Sequence, residues 1–177
     1  MINENELFNE LSVWNSLLRR KINLIACGGT AMTLLNLKPS TKDIDLIIPN
    51  EEDHSYIVRI LIEAGYKKEI ITRGIRLKSV TEFEYDLFRG NNVYTAGLLE
   101  SPLDEGNNLT IREWSYIYLG CLNYYDLMIT KLFRGTATDF GDMSVLWQKI
   151  YKNMDFVKLK KRYEEHARYD VSEEKVH

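Results

Sequence analysis

Two short strand-like runs, each bordered by residues that carry chemistry, constrain the fold of this chain most strongly. Residues 22–27 form an apolar run that ends at a Gly-Gly pair, and residues 43–48 begin with acids and become apolar. Because side chains alternate along a strand, Asp43 and Asp45 emerge on one face while the apolar residues pack on the other. Two like charges so placed repel unless a cation or a proton separates them. The run predicts either a cation site or a solvent-facing sheet edge that bears two acids.

Helical and strand-like segments alternate along the rest of the chain. Helical spacing and caps predict helices over residues 4–20, from 30 onward, and over 50–64, 123–134, 139–153 and 154–169. Further strands are predicted over residues 75–79, 81–89, 93–98, 109–113 and 116–122. These segments predict an α+β fold in which helices flank a mixed sheet. We expect a core over residues 1–122, a helical C-terminal part over 123–177 packed on it as one compact unit, and a frayed end at 171–177.

Composition excludes several classes of protein. The chain has 177 residues, 45% of them hydrophobic and 28% charged, with a net charge of -3, which excludes a largely disordered or collagen-like chain. No apolar run approaches the roughly 20 residues of a membrane span, so we expect no membrane partner. Both cysteines, Cys27 and Cys121, lie in apolar runs, and the N-terminus is acidic. These features predict buried, reduced thiols in a cytoplasmic protein.

The Gly-Gly pair is followed by a residue that can donate a hydrogen bond. Gly28 and Gly29 permit a tight turn and a close approach of the backbone to a ligand, and phosphate is the usual ligand of such a turn. The hydroxyl of Thr30 adds one more donor. The alternative is an ordinary turn with no ligand.

A third acid is available on a later predicted strand. Residues 81–88 alternate, so that Glu82, Glu84 and Asp86 share one face. If this strand lies beside the strand that carries the first two acids, one of its own acids completes a cation site. Periodicity does not select among the three acids, and a polar outer face is the alternative.

These motifs together resemble the nucleotidyltransferases related to DNA polymerase beta, whose pattern is a Gly-Gly or Gly-Ser turn, an Asp-x-Asp strand and a third carboxylate. The resemblance favours Asp86 over Glu84, because Tyr85-Asp86-Leu87-Phe88 is similar to the family's third strand. It implies three ligands for Mg²⁺ or Mn²⁺, namely Asp43, Asp45 and Asp86. It implies a site for a nucleoside triphosphate that includes Gly28, Gly29, Thr30 and Lys42.

The C-terminal half resembles a subgroup of small bacterial and archaeal transferases through residues 123–133 and 138–143. This subgroup includes minimal nucleotidyltransferases and the toxins of abortive-infection type toxin–antitoxin pairs. The resemblance implies that Lys131 carries a phosphate and that Asp139 or Asp142 fixes this lysine or a substrate group. The alternatives are a surface charge for Lys131 and, for Asp139, a helix N-cap with Asp142 at the third helical position.

The resulting functional hypothesis is metal-dependent transfer of a nucleoside monophosphate from a triphosphate to a hydroxyl acceptor. The acceptor stays open among tRNA, a protein and a small molecule such as an aminoglycoside, and a cognate toxin or antitoxin is a further expected partner. The alternative is a non-catalytic nucleotide-binding or antitoxin-type module of the same fold. The basic cluster at residues 158–162 either binds RNA phosphates or is a solvated helix face with Phe156, Val157, Leu159 and Tyr163 packed inward.

Overall fold

The computed structural model of this chain describes residues 1–81 and 83–170. Two of the features predicted from the sequence, the acid at Glu82 and the frayed end at residues 171–177, lie outside the described residues. Within the described ranges, none of the helices has both the length and the apolar character that a bilayer-spanning helix needs.

A mixed sheet forms the centre of the described chain. In chain order the strands are β1 Ile22–Ala26, β2 Ile44–Ile48, β3 Lys67–Ile71, β4 Gly74–Lys78, β5 Glu84–Arg89, β6 Asn92–Val93, β7 Ala96–Gly97, β8 Asn108–Glu113 and β9 Ile117–Leu122. Seven of them form one sheet in the order β3-β4-β5-β2-β1-β9-β8, while β6 and β7 form a separate hairpin. β2 runs parallel to β5 and β1 parallel to β9, and the other neighbours are antiparallel. The predicted α+β class is therefore confirmed.

Helices precede, interrupt and follow the strands. They are α1 Glu4–Leu17, α2 Gly28–Leu34, α3 Glu51–Glu63, α4 Tyr124–Arg134, α5 Ala137–Ile150 and α6 Phe156–Asp170, with a short 3-10 turn at Tyr151–Asn153. The side-chain oxygens of Asn3, Asn50, Asn123 and Thr136 accept backbone N–H groups in the first turns of α1, α3, α4 and α5. These caps fix where the helices begin, as the sequence predicts for Asn50 and Asn123.

The hydrophobic core ties the first helix to the strands of the site. Trp14 of α1 is fully buried, donates from Nε1 to the hydroxyl of Tyr66 at 3.0 Å, and lies 4.8 Å from the ring of Tyr85 on β5. Cys27 and Cys121 are both buried and free, as predicted. Every residue of β2 is buried, so this strand carries an acidic side chain into the interior.

The last helix is held by an ion pair rather than by a continuous apolar stripe. Arg162 of α6 binds Asp126 of α4 through two hydrogen bonds of 2.6 and 2.9 Å. Leu159 packs against the core, whereas Phe156 and Val157 are 52% and 79% exposed. The inward packing expected for these two residues is therefore wrong, because the helix is oriented by its charged contact.

The ion pair of α6 predicts a measurable loss of stability. Arg162→Met is expected to lower the free energy of unfolding by about 3–5 kcal/mol, because Asp126 is left as an unpaired buried charge. Lys161→Met on the same helix is the control, since Lys161 pairs at 4.0 Å with Glu165 on the exposed surface and should matter by less than about 1 kcal/mol. Urea unfolding measures both variants, and equal effects would show that this contact does not hold α6.

Candidate active site

The parallel pairing of β2 with β5 brings two predicted acids together. Asp45 and Asp86 are register partners on these adjacent strands, and each is only 6% exposed. Side chains at paired positions of neighbouring strands project from the same face of the sheet. Asp43 lies just before β2 and lines the same cleft as the other two acids. The structure therefore brings the three predicted acids to one cleft.

This cleft has a volume of about 640 Å³, a size typical of small-molecule sites. Its walls come from the turn after β1, the segment before β2, strands β4 and β5, the β6–β7 hairpin and the α4–α5 connection. Four cationic side chains line it, namely Lys38, Lys42, Arg76 and Arg134. Cations next to buried acids suit a ligand that carries several negative charges together with a bound cation.

Among the described residues of this cleft, Asp45 is the buried acid that has no ion pair. Among the described residues, no side chain meets hydrogen-bond or ion-pair geometry with its carboxylate, although the Tyr94 hydroxyl lies beside it. Burial raises the pKa of Asp45 to about 7, and the negative charges of Asp86 and Asp43 add to the rise. The neighbouring Tyr94 hydroxyl and the positive charge of Arg134 lower the pKa of Asp45 and so offset part of this rise. A positively charged ligand would offset the free-energy cost of burying the ionised carboxylate of Asp45.

The carboxylate of Asp86, unlike that of Asp45, is bound by an arginine. Arg76, its register partner on β4, donates from Nε to Oδ1 at 2.6 Å and from Nη2 to Oδ2 at 2.8 Å. Glu84 lies two residues earlier on β5 and pairs with Lys78 at 2.7 Å and with Arg76 at 3.3 Å. The register places Asp86, and not Glu84, beside Asp45.

The two glycines are required by close contacts within the protein. Gly28 has a φ of +55°, and a Cβ there would lie 2.0 Å from the Tyr94 hydroxyl and 2.6 Å from Asp45 Oδ2. A Cβ on Gly29 would lie 2.5 Å from Thr41 Oγ1. Gly29 lines the cleft, whereas Gly28 lies beneath the tyrosine.

Thr30 holds the backbone of the acidic segment, residues 43–45, rather than facing the cleft. Its side chain is fully buried, and its hydroxyl accepts a hydrogen bond from the backbone N–H of Asp45 at 2.8 Å and donates to the carbonyl of Asp43 at 3.3 Å. The Thr41 hydroxyl donates to the same carbonyl at 3.0 Å. These bonds fix the backbone that presents the acids.

The predicted C-terminal residues form a buried charge network. Lys131 is 1% exposed, and its Nζ lies 2.7 Å from Asp142 Oδ2 and 3.6 Å from Asp139 Oδ1. The surface-charge alternative for Lys131 is therefore wrong. Asp142 lines the cleft and also binds Lys38 at 2.8 Å. In the part of the chain that the structure describes, the Lys131 ammonium contacts these carboxylates behind the cleft wall.

Asp139 is not the N-cap of α5. Thr136 is the cap, and Asp139 is the third helical residue of a capping box in which its carboxylate accepts from the Thr136 backbone N–H at 3.1 Å. Arg134 also binds this carboxylate, with hydrogen bonds of 2.7 and 2.5 Å. These contacts outweigh burial and lower the pKa of Asp139 to about 2.

Sequence reasoning did not single out Arg76, Arg134 and Tyr94, three side chains that line the cleft. Arg76 lies opposite Asp86 only because β4 pairs with β5 in this register. Arg134 follows Lys131 by one helical turn and stacks its guanidinium 4.0 Å from the centre of the Tyr94 ring. Helical spacing could have indicated Arg134, whereas nothing local indicated the other two.

The residues present fit a divalent cation, with Asp45 as its first ligand. Buried carboxylate oxygens are the hard donors that such a cation prefers, and within residues 1–81 and 83–170 Asp45 forms no ion pair, although the charge of Arg134 lowers its pKa. Across the described ranges, however, no group of three His, Cys, Asp or Glu side chains is gathered as a metal site. Asp86 is bound to Arg76 instead, and the three-carboxylate ligand set stays a prediction.

Comparison with known proteins establishes the fold. The antibiotic-resistance factor ANT(2'')-Ia, solved in complex with adenylyl-2''-tobramycin, matches with a TM-score of 0.63 and 14% identity over 92% of this chain and 97% of its own. The lincosamide antibiotic adenylyltransferase LnuA, solved with lincomycin, matches with a TM-score of 0.57 and 19% identity over 82% of this chain and 96% of its own. No protein-family model and no curated protein matches the sequence. The chain has the nucleotidyltransferase fold, and the predicted resemblance is confirmed at that level.

The raised pKa of Asp45 predicts a pH-dependent cost to stability. Its pKa rises from 3.8 to about 7 on folding, so the native state binds the extra proton and loses stability as the pH rises through this window. Asp45→Asn removes that loss and is expected to stabilise the protein at pH 8 by on the order of 3 kcal/mol, with a much smaller gain at pH 4.5.

Urea unfolding without divalent cations measures the difference. Asp104→Asn, a change at an exposed loop acid, is the control and should alter stability little at either pH. An equal gain for Asp45→Asn at both pH values would contradict the proposed penalty.

Proposed function

We propose that this chain is an enzyme that transfers a nucleoside monophosphate from a nucleoside triphosphate to a hydroxyl group of an acceptor. The observation that carries the proposal is the buried, unpaired carboxylate of Asp45 beside Asp86 in a cleft lined with lysine and arginine. A site of this kind suits a triphosphate with its cation, because the cation satisfies the acids and the basic residues satisfy the phosphates.

The chain's own residues have distinct tasks in this proposal. Asp45, with Asp43 and Asp86, would hold Mg²⁺ or Mn²⁺, a cation that neutralises phosphate charge and lowers the pKa of the acceptor hydroxyl when bound. Lys42 and Arg134 bind phosphate oxygens. Asp86 receives the proton of the acceptor hydroxyl, while the two hydrogen bonds from Arg76 hold its carboxylate in one orientation.

Lys131 acts through another residue in this arrangement. Its ammonium and that of Lys38 bind the two oxygens of Asp142, at 2.7 and 2.8 Å. This pairing fixes the wall of the cleft at the start of α5 and presents Lys38 to the ligand. The direct phosphate contact that the resemblance implies for Lys131 would require this buried pair to open.

A small hydroxyl-bearing molecule is the acceptor that we favour. ANT(2'')-Ia and LnuA were solved with an adenylylated aminoglycoside and with lincomycin, and each matches this chain over nearly its own full length. An RNA acceptor has weaker support, because Arg162 of the basic cluster is committed to Asp126. The toxin–antitoxin role and a protein acceptor stay predictions from the resemblance.

A labelling experiment tests the function. The protein is incubated with each α-labelled ribonucleoside triphosphate, with magnesium or EDTA, and with tobramycin, lincomycin, bulk tRNA or lysate protein in separate reactions. We expect magnesium-dependent label on a small-molecule acceptor. Label on tRNA or protein would replace that acceptor, and no transfer by a chain that binds a partner protein tightly would favour the non-catalytic module.

Variants of the two strand acids separate binding from chemistry. Asp45→Asn is expected to remove most magnesium-dependent triphosphate binding, measured by calorimetry. Asp86→Asn should still bind the magnesium triphosphate, more weakly because Asp86 shares the cation, while its turnover falls by about 10²–10⁴-fold, because a proton acceptor works in the transition state.

Glu84→Gln is the matched control for Asp86→Asn. Glu84 lies on the same face of β5 and pairs with Lys78 at 2.7 Å and with Arg76 at 3.3 Å, but it does not line the cleft and the two hydrogen bonds from Arg76 to Asp86 remain, so this variant should stay active. An inactive Glu84→Gln together with an active Asp86→Asn would reverse the assignment of the third carboxylate.

A further inference from the structure

The tip of the β6–β7 hairpin projects a strained tyrosine into the cleft. Val93 pairs with Ala96, so Tyr94 and Thr95 form a two-residue turn. Tyr94 has a φ of +51°, in the left-handed region that such turns usually fill with glycine, asparagine or aspartate. A strained non-glycine residue at a cleft is a reason to look for function there.

The ring of Tyr94 is held on two sides. It packs edge-on against Phe88 of β5, with ring centroids 4.9 Å apart, and the Arg134 guanidinium covers it at 4.0 Å. Arg134 is itself fixed by two hydrogen bonds to Asp139. The direction of the Tyr94 hydroxyl is therefore set by β5 and α4 together.

The hydroxyl of Tyr94 is buried and meets full hydrogen-bond geometry with no group in the described part of the chain, although the Asp45 carboxylate lies beside it. It occupies the space that a side chain on Gly28 would need, beside Asp45 Oδ2. Buried polar groups in native proteins are almost always hydrogen-bonded, and an exception calls for a ligand or another explanation. Here this donor faces the carboxylate of Asp45.

We propose that Tyr94 is a nucleotide-binding residue whose hydroxyl donates a hydrogen bond to a phosphate oxygen of the bound triphosphate. The proposal rests on the function proposed above. A phosphate oxygen is the fitting acceptor because the surrounding cations Lys42 and Arg134 line the same cleft. Gly28 is then required to keep this donor close to Asp45, rather than to contact the phosphate itself.

Tyr94→Phe tests the hydroxyl while keeping the ring and its two packing partners. We expect the affinity for the magnesium triphosphate that the wild type binds, and for magnesium tripolyphosphate, to fall by about 10- to 100-fold in calorimetry. The midpoint of thermal unfolding without ligand should change little, because the hydroxyl meets full hydrogen-bond geometry with no group of the described chain.

Tyr118→Phe is the matched control with the opposite signature. The Tyr118 hydroxyl donates to Asn108 Oδ1 at 2.5 Å and lies 2.9 Å from the Thr110 hydroxyl, on β9, which β1 separates from β2. Its loss should lower the unfolding midpoint and leave triphosphate affinity unchanged.

Three outcomes decide the matter. Equal triphosphate affinity for wild type and Tyr94→Phe would overturn this inference alone. A loss of affinity for the triphosphate but not for tripolyphosphate would also overturn it, since the hydroxyl would then serve another part of the nucleotide. If the wild type binds none of the four ribonucleoside triphosphates, the proposed function fails and this inference fails with it.

Discussion

The burial of the Asp45 carboxylate, reinforced by the negative charges of Asp86 and Asp43, is the constraint on which the rest of the site depends. Parallel pairing of β2 with β5 puts Asp86 directly beside it, and burial deprives both groups of water. The surrounding structure holds this unfavourable arrangement in place. Thr30 fixes the backbone of the acidic segment through two hydrogen bonds, and α1 packs Trp14 against β5 from the other side. Contacts elsewhere in the core therefore offset the free-energy cost of burying Asp45.

The other buried acids show how different Asp45 is. Within the described residues, Asp86, Asp126, Asp139 and Asp142 each form an ion pair with an arginine or a lysine at 2.5–2.7 Å. Such pairing is the usual condition for burying a carboxylate. The chain has basic residues near Asp45 but directs them to its neighbours, so that one acid is left for a ligand. This contrast is a stronger indication of a binding site than the acidic motif taken alone.

Sequence reasoning found what depends on local spacing and missed what depends on register. Period-two alternation identified Asp43 and Asp45, and caps at Asn50 and Asn123 located two helices. The pairing of Asp86 with Arg76 requires knowledge of which strands are neighbours, and only the family resemblance selected Asp86. β3 escaped prediction because its sequence, Lys-Lys-Glu-Ile-Ile, does not alternate.

The residues that form the walls were the hardest to foresee. Tyr94 has no local signal, since a tyrosine in a two-residue turn runs against the usual turn preferences. Lys131 follows a helical pattern that fits a surface charge as well as a buried one, and only the fold of α5 onto α4 decides between them. Thr30 looked like a phosphate donor because the sequence does not show that its hydroxyl is already used by the acidic segment.

The cleft joins the two parts that the sequence predicts. Asp43, Asp45 and Asp86 come from the sheet, whereas Arg134 and Asp142 come from the helices after residue 122. A ligand that binds both walls stabilises their association by a free energy that grows with the logarithm of its free concentration over its dissociation constant. The cost of burying the charged Asp45, which weakens the ligand-free protein, is relieved when a cation or a proton arrives. Lost stability and gained affinity are thus two consequences of one buried charge, which is the physical basis of the trade-off between stability and activity.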